Sequence, residues 1–491
     1  MKLYRPKAPE AIRFGTDGWR AIIADQFTFA NLERVAQAYA DYLRRMRDNS
    51  ASSATDIPRP SRSHSNRVVV GHDRRFLSRE FAVRAAEIFA GNELDLLLFD
   101  EDVPTPLVSW AVREKNAAGG IVITASHNPP EFNGFKIKAS WGGSASVEMT
   151  RAVETFIDAS PPVRRDIHPV DHCSGTAEVI SSYRRHLSEY VDIERILSAK
   201  IHVAIDPMHG TGGQWVESFL KEGPIRVETV RGERDATFGG VNPEPIDSNL
   251  GALKSKVLDS RSTLGLATDG DADRLGVINE LGETMTMHQV VPLLLLHLLR
   301  NRQMTGEVVT TISQSVLTKR IALHHGLAVH ETAIGFKYIA EKMLTDDILI
   351  GAEESGGIGV KGHIPERDGI LNSLLFLEAV VMGGKPPSEL VNDLFQEFGT
   401  FFFDRSDIPM PIGRGQDVVN QLALYSPQAI AGAEVTRVET LDGTKLIFAD
   451  DSWLLFRQSG TEPVLRIYSE ATSRLKLQNI FQEAVSLALK Y

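Results

Sequence analysis

The chain has 491 residues, 42% hydrophobic and 24% charged, a composition that suits a globular protein of about three to five domains. Its 53 basic and 64 acidic side chains give a net charge of −11, which disfavours nucleic acid as a partner. The single cysteine, Cys173, excludes an intrachain disulfide framework and a thiolate-rich metal site.

Two stretches bear on the location of the protein. The longest apolar stretch, VVPLLLLHLL at 290–299, is about half as long as a membrane-spanning helix. The first residues, MKLYRPKAPEAIRFGTDGW, lack the apolar region of a signal peptide. We therefore expect a cytoplasmic protein with no membrane partner.

The first predicted elements alternate between helix and strand. Residues 28–47 place apolar side chains at helical spacing and predict a helix, with a buried face made of Leu32, Val35, Ala36, Tyr39, Leu43 and Met46. The serine-rich stretch 48–67 predicts a flexible surface loop. A strand at 67–73, a helix from Ser78 to about Ala90 and a strand at 94–100 follow, and this order predicts a largely parallel sheet.

The same order of elements recurs along the chain. Strands followed by polar turns and helices start at KIHVAIDPMHGTGG (200–213) and GEVVTTISQS (306–315), which suggests duplicated α/β units. The last part differs, because TKLIFAD, SWLLFRQSG and VLRIYSEA are strands joined by short turns and followed by one amphipathic helix. We predict three related α/β domains at 1–177, 178–287 and 288–403, and an α+β domain at 404–491.

The stretch ITASHNPPEFNGFKI (123–137) begins as a buried strand and stops at two prolines. The strand ends on Ser126 beside His127, and Asn133-Gly134 turns the chain before Lys136. From the residues alone, Ser126 is either a turn residue or a reacting one.

Three aspartates, Asp269, Asp271 and Asp273, lie close together in LGLATDGDADRLGVINE (264–280). Such carboxylates repel one another unless a cation lies among them, and oxygen ligands favour Mg²⁺ or Ca²⁺. An EF-hand loop is excluded, because Arg274 stands where that loop needs glycine and the flanks predict strands. Mg²⁺ is the favoured ion, and a solvated acidic turn is the alternative.

Two later loops carry polar groups. GAEESGGIGV (351–360) follows a strand, and its carboxylates and hydroxyl suit a polyol, although an exposed turn has the same composition. RQSGTEPVLRIY (457–468) could surround an anion with the side chains and backbone of Arg457, Ser459, Gly460 and Thr461, or form an ordinary hairpin turn.

Taken together, these segments resemble the α-D-phosphohexomutase family of phosphoglucomutases and phosphomannomutases. The motifs that carry the resemblance occur in the family's order, one in each predicted domain: TASHNP (124–129), DGDADR (269–274), EESGG (353–357) and RQSGTEP (457–463). FGTDGWR (14–20) and PERDGI (365–370) extend the likeness from Phe14 to the last domain. The resemblance implies a four-domain architecture around one central cleft.

The resemblance also implies a role for each residue. Ser126 would carry a phosphoryl group, and Mg²⁺ would be held by Ser126 and the three aspartates. Glu353 and Ser355 would contact the hydroxyls of a hexose phosphate, and Arg457, Ser459, Gly460 and Thr461 would hold the phosphate that does not react. The remaining residues expected to line the site are Arg20, His127, Lys136, Arg274 and Lys337, with His127 and Lys136 as proton-transfer or charge-stabilising groups.

The sugar loop indicates which hexose is favoured. Bacterial phosphomannomutases and phosphoglucosamine mutases usually have Met or Gln between Glu and Ser and end this loop in Gly-His, whereas this chain reads Glu-Glu-Ser-Gly-Gly. The resemblance therefore implies a phosphoglucomutase that works through glucose 1,6-bisphosphate, in a monomer or homodimer. The alternatives are a phosphomannomutase or dual-specificity enzyme, a glucose-1,6-bisphosphate synthase and a catalytically silent sugar-phosphate binding protein.

Overall fold

The computed structural model describes residues 12–15, 17–52, 65–460 and 463–490. Four β-sheets follow one another along the chain. Three are mixed sheets packed with helices and the fourth is antiparallel, which confirms the predicted fold class of three α/β units and one α+β unit.

The first sheet has the strand order β1-β5-β4-β2-β3. Strands β2, β3 and β4 are parallel, whereas β5 runs antiparallel to β4 and β1 antiparallel to β5. Its elements are β1 (Trp19–Ile22), α1 (Phe29–Ser52), β2 (Arg67–His72), α2 (Ser78–Gly91), β3 (Asp95–Leu98), α3 (Thr105–Glu114), β4 (Gly119–Ile123), β5 (Phe132–Ala139) and α4 (Val147–Glu154).

The second sheet has the order β10-β9-β8-β6-β7, with β6, β7 and β8 parallel and β9 antiparallel to β8. Its elements are α5 (Thr176–Tyr190), α6 (Ile193–Ser198), β6 (His202–Asp206), α7 (Trp215–Ser218), β7 (Arg226–Thr229), α8 (Gly251–Ser260), β8 (Leu264–Thr268), β9 (Leu275–Asn279) and β10 (Thr284–Met285).

The third sheet repeats this arrangement in the order β12-β11-β13-β14, with three parallel strands and an antiparallel β14 beside β13. Its elements are α9 (Met287–Leu296), β11 (Glu307–Thr311), α10 (Val316–His324), β12 (Val329–Thr332), α11 (Phe336–Thr345), β13 (Ile348–Ala352), β14 (Ile358–Val360), α12 (Gly369–Gly383) and α13 (Pro387–Phe398). The common strand order supports duplication of one α/β unit.

The fourth sheet is antiparallel throughout, in the order β15-β20-β19-β18-β17-β16. Its elements are β15 (Phe402–Pro409), α14 (Ile412–Leu424), β16 (Ala429–Ile430), β17 (Ala433–Glu439), β18 (Thr444–Phe448), β19 (Trp453–Gln458), β20 (Val464–Ala471) and α15 (Arg474–Lys490). The domain limits stay predictions, and all three, 177/178, 287/288 and 403/404, fall inside an element, namely α5, α9 and β15.

Helix α1 differs from the prediction at its C-terminal end. It continues to Ser52, so the predicted surface loop at 48–67 begins as helix, and residues 53–64 lie outside the described residues. Five of the six side chains predicted on its buried face are buried, but Met46 is 36% exposed.

The hydrophobic cores divide the molecule unevenly. One continuous core runs from Val69 to Phe401 and joins the three α/β units, and a second core fills the other face of the first unit. The fourth unit has a core of its own. A small apolar cluster of Ile312, Trp453, Leu455 and Tyr468 joins it to the third unit.

Polar contacts also join the third and fourth units. Glu470 on β20 accepts hydrogen bonds from Ser315 Oγ (2.6 Å) and from the backbone N–H of Val316 (2.8 Å) at the start of α10. Lys445 donates to the carbonyl oxygen of Ile312 at 2.6 Å. Among the described residues, every helix is too short or too polar to cross a lipid bilayer.

Candidate active site

Three candidate loops occupy equivalent positions in the three α/β units. Ser126 follows β4, the aspartates follow β8, and Glu353 follows β13. Each of these strands is the last parallel strand of its sheet, and each loop leads into an antiparallel neighbour. Duplication of the unit therefore places the serine, the carboxylates and the sugar loop at equivalent positions in the three sheets.

Ser126 lies in a tight turn and faces the aspartates. Its φ of 53° is in the left-handed region that few non-glycine residues adopt, a strain typical of functional sites. Its Oγ lies 2.8 Å from Oδ2 of Asp269, and its side chain is almost fully buried. The predicted serine and the predicted metal loop therefore meet directly.

The turn that carries Ser126 is held by a buried arginine. Arg75 is fully buried, pairs with Asp73, and donates to four backbone carbonyls of the turn: those of Ser126 (2.7 Å), Asn128 (2.6 Å), Pro129 (2.7 Å) and Phe132 (3.1 Å). One guanidinium group thus fixes the backbone on both sides of the two prolines.

The three aspartates are fully buried and can offer oxygens within 4.8 Å of one another. Burial and the neighbouring carboxylates of Asp271 and Asp273 raise the pKa of Asp269 well above its usual value. Oδ1 of Asp271 and Oδ1 of Asp273 are buried without a hydrogen-bond partner in the described part of the chain. Orphaned carboxylate oxygens in such a cluster fit a hard divalent cation such as Mg²⁺.

Lys136 is a fixed positive charge beside this cluster. Its Nζ lies 2.8 Å from Asp17, 2.8 Å from Asp271 and 2.9 Å from Asp273, and the side chain is buried. Burial alone would lower the pKa of Lys136, but the three carboxylates raise it above its usual value. Lys136 therefore stays protonated and suits charge stabilisation rather than proton acceptance.

His127 has the opposite electrostatic character. Burial, together with Arg274 and Arg20, lowers its pKa well below the usual histidine value, so the imidazole is neutral at pH 7. Its Nδ1 lies 3.4 Å from Oγ of Ser126. A neutral imidazole next to the serine can exchange a proton with it.

Arg20 and Arg274 flank the serine and the metal loop. Arg20 on β1 donates to the side chain of Asn128 at 2.7 Å, beside Ser126 in the same turn. Arg274 ends the metal loop, pairs with Glu244 at 3.5 Å and forms a β-bridge with Gly357 in the sugar loop. Both arginines are therefore near the predicted reacting groups.

The sugar loop joins the cluster through Arg367. This arginine lies 2.8 Å from Asp273 and 3.7 Å from Glu353, so one side chain touches the metal loop and the sugar loop. Burial raises the pKa of Glu353 to about 7, although Arg367 opposes the shift. Ser355 is half-buried, and Lys337 lines a small cavity with Phe14 and Asp17.

The predicted phosphate loop lies at the end of β19 in the fourth unit. Arg457 is the second-to-last residue of β19, and Ser459, which follows the strand, is buried. The backbone N–H of Ser459 donates a hydrogen bond of 3.0 Å to the carbonyl oxygen of Val464, which closes the turn. Thr461, predicted here with Gly460, lies outside the described residues. Burial lowers the pKa of Arg457, but the carboxylate of Asp442 outweighs burial and raises this pKa above its usual value.

Several groups of the site were not predicted from the sequence. Asp17 and Arg367 stand in motifs that carried the resemblance, but no role followed from those motifs alone. Thr105 donates to Oδ2 of Asp271 at 2.7 Å and lies 166 residues away in the chain, and Arg75 follows an identical neighbour, Arg74. No local pattern marks either position.

Models of the phosphoglucomutase/phosphomannomutase domains match nearly the whole chain. Domain I, an alpha/beta/alpha domain, matches residues 11–163, domain II matches 181–282, domain III matches 286–398, and the C-terminal domain matches 421–487. The four matches follow the order of the four sheets.

Individual relatives are similar over their full lengths. A "Phosphoglucomutase/phosphomannomutase" of Thermococcus kodakarensis is 31% identical over 96% of this chain and 98% of the relative. A "Phosphoglucosamine/phosphogalactosamine mutase" of Sulfurisphaera tokodaii is 28% identical over 96% and 97% of the two chains. A solved structure from Thermus thermophilus, described as a phosphomannomutase, is 35% identical in sequence. The match covers 98% of this chain and 99% of that chain, with a TM-score of 0.80.

Proposed function

Because the chain belongs to the phosphoglucomutase/phosphomannomutase family and is a phosphohexomutase, we propose that it interconverts glucose 1-phosphate and glucose 6-phosphate through a phosphorylated Ser126. The observation that carries this proposal is the contact of 2.8 Å between Oγ of Ser126 and Asp269, inside a buried group of three carboxylates. A serine in that position can hold a phosphoryl group beside a cation.

The residues present fit a Mg²⁺ ion, which would be held by Asp269, Asp271, Asp273 and an oxygen of the phosphorylated Ser126. Bound there, Mg²⁺ would draw negative charge from the phosphoryl group during transfer. Lys136, which is protonated beside Asp271 and Asp273, would stabilise the negative charge of the phosphoryl group as well.

In the first transfer, the bond between phosphorus and Oγ of Ser126 breaks and a bond to the 6-oxygen of glucose 1-phosphate forms. The hydroxyl proton of the sugar ends on Oγ of Ser126, and neutral His127, 3.4 Å away, is the group that can pass it on. The product, glucose 1,6-bisphosphate, turns over in the cleft. The bond between phosphorus and the 1-oxygen then breaks as Oγ of Ser126 takes this phosphoryl group, the proton of Oγ passes to the 1-oxygen, and glucose 6-phosphate leaves.

The remaining residues bind the two ends of the substrate. Glu353 and Ser355 hydrogen-bond the ring hydroxyls, and Lys337 and Arg274 add positive charge around the sugar. Arg457, Ser459, Gly460 and Thr461 hold the phosphate that does not react, and Arg20 contacts the phosphoryl group on Ser126. A guanidinium fork and hydroxyls are suited to a phosphate dianion.

Glucose is the proposed hexose because the sugar loop reads Glu-Glu-Ser-Gly-Gly. A phosphomannomutase or a dual-specificity enzyme is the second candidate, since the relative from Thermococcus kodakarensis carries both names. Names of phosphoglucosamine mutases among the relatives make glucosamine phosphate a necessary comparison. A bisphosphate synthase would need another phosphoryl donor, and a silent binding protein would be expected to lack Ser126 or an aspartate, but all four residues are present.

The test compares wild type, Ser126→Ala and a control, Ser198→Ala, whose serine is exposed on α6. With Mg²⁺ and catalytic glucose 1,6-bisphosphate, each protein is assayed with glucose 1-phosphate, mannose 1-phosphate and glucosamine 1-phosphate, and its intact mass is measured. We expect wild type and the control to prefer glucose 1-phosphate and to carry a phosphate-sized mass increment that Ser126→Ala lacks. Equal turnover by Ser126→Ala would contradict the phosphoserine, and a higher kcat/KM with another hexose would contradict the choice of glucose.

A further inference from the structure

A turn in the fourth unit contacts both the phosphate loop and the third unit. Asp442 stands in the turn between β17 and β18, and its Oδ2 accepts a hydrogen bond from Nε of Arg457 at 2.8 Å. The same oxygen accepts from the backbone N–H of Ile334 at 2.9 Å. One carboxylate oxygen therefore joins Arg457 to the third unit.

The position of Asp442 depends on the glycine that follows it. Gly443 has a φ of 99°, and a Cβ there would lie 2.3 Å from the carbonyl oxygen of Phe456 and 3.2 Å from Cα of Arg457. Only a residue without a side chain allows the turn to lie directly on the backbone of β19 at this place. The turn is thus built to bring Asp442 to Arg457.

The hydrogen bond to Asp442 fixes one end of the guanidinium group. Arginine binds phosphate best through two neighbouring donors in a planar fork. Because Nε is held by Asp442, the two terminal nitrogens are the pair that can form such a contact. A fixed fork loses less side-chain entropy when a phosphate binds than a mobile one does.

The second contact of Asp442 reaches the loop that leads into α11, the helix that carries Lys337. Ile334 lies three residues before Lys337, between the end of β12 and the start of α11, and Lys337 lines a small cavity with Asp17. A displacement of the turn would therefore change the position of Arg457 and also remove a support of the start of α11.

We propose that Asp442 is a positioning residue that orients Arg457 for the non-reacting phosphate and ties the phosphate loop to the segment that leads into α11. This inference rests on the proposed role of Arg457 in phosphate binding. Because Asp442 is proposed to act through Arg457, its removal should weaken substrate binding more than it slows chemistry.

The test uses Asp442→Ala, Asp442→Asn and a matched control, Asp451→Ala. Asp451 also joins the fourth unit to the third, through Arg320 at 2.5 Å, but its side chain is 58% exposed, and within the described residues it forms no ion pair with the phosphate loop. For Asp442→Ala we expect KM for glucose 1-phosphate to rise about tenfold, the size of one lost charge-assisted hydrogen bond, with a smaller fall in kcat. Asp442→Asn keeps an acceptor oxygen and should recover part of the affinity, and the control should match wild type.

Two further measurements separate this inference from the proposed function. Calorimetric binding of glucose 1-phosphate to each variant, combined with Ser126→Ala, tests positioning without turnover, and a thermal melt shows whether Asp442→Ala stays folded. If wild type turns over but Asp442→Ala has unchanged KM and affinity, the positioning role is wrong and the mutase stands. If Asp451→Ala weakens binding as much as Asp442→Ala, the effect comes from general domain contact, which also overturns the inference. If wild type has no mutase activity, the proposed function fails, whereas unequal calorimetric affinities would still support the positioning role.

Discussion

Glu353 shows how the environment of a single residue sets a property that its motif does not carry. The sequence places a carboxylate in a glycine-rich loop, but it does not indicate that the side chain is only 4% exposed. Burial raises the pKa of Glu353 to about 7, while Arg367 works in the opposite direction. A group with this pKa changes its charge within the ordinary working range of an enzyme.

This shift predicts a pH dependence of substrate use. Above pH 7 the ionised Glu353 can accept hydrogen bonds from sugar hydroxyls, and below it the protonated form accepts fewer, so kcat/KM should rise as the pH increases through about 7. The matched variant Glu353→Gln has no proton to lose. It should have a lower kcat/KM, with only the change near pH 6 that comes from the substrate phosphate itself. A wild-type profile parallel to that of Glu353→Gln would contradict the assignment.

At the scale of elements, the sequence predicted the strands and the loops better than the groups that hold the loops. Ser126, the aspartates and the sugar loop drew attention because each follows an apolar strand, whereas their proposed roles came from the family resemblance. Arg75 was not found, since it touches Ser126 only through the fold and its neighbour Arg74 has the same side chain. Helix α1 was predicted too short because the polar residues after Met46 favour a loop locally, whereas helical hydrogen bonding continues to Ser52.

The turn at 126–132 should depend on Arg75. Arg75→Met removes four hydrogen bonds to backbone carbonyls and leaves Asp73 buried without its cation, so we expect a loss of about 3–5 kcal/mol in the free energy of unfolding. The control Arg79→Met removes an exposed pair with Asp100 and should cost less than about 1 kcal/mol. Urea unfolding measures both.

The folded fraction of Arg75→Met should also have a lower kcat than Arg79→Met, because Ser126 is no longer held in its turn. Equal unfolding midpoints for the two variants would show that other contacts hold the turn.

At the scale of the whole molecule, the sequence predicted the number and class of the units but not how they share their cores. One core runs through the three α/β units, whereas the fourth unit has its own core and joins the third through a small cluster and a few polar contacts. Contacts between units depend on residues far apart in the chain, and no local periodicity records them. The fourth unit therefore depends mainly on its own core for its stability.

This division predicts two thermal transitions in differential scanning calorimetry. Mg²⁺ should raise only the transition of the three α/β units, because all three aspartates and their partners Lys136 and Arg367 belong to them. The expected stabilisation is about 3–4 kcal/mol at roughly 100 to 1,000 times the dissociation constant. Asp271→Asn should abolish that shift and leave the other transition unchanged. A single transition, or an equal shift of both, would contradict the division.

The partners of the aspartate loop also bear on the order in which the protein is made. Lys136 and Thr105 leave the ribosome before the loop, but Arg367, which lies 2.8 Å from Asp273, is synthesised 94 residues after it. During that interval the nascent chain carries three closely spaced aspartates without the positively charged side chain of Arg367. The ion pair between Asp273 and Arg367 can therefore form only after most of the third unit has been translated. A fragment that ends at residue 282 would lack this ion pair.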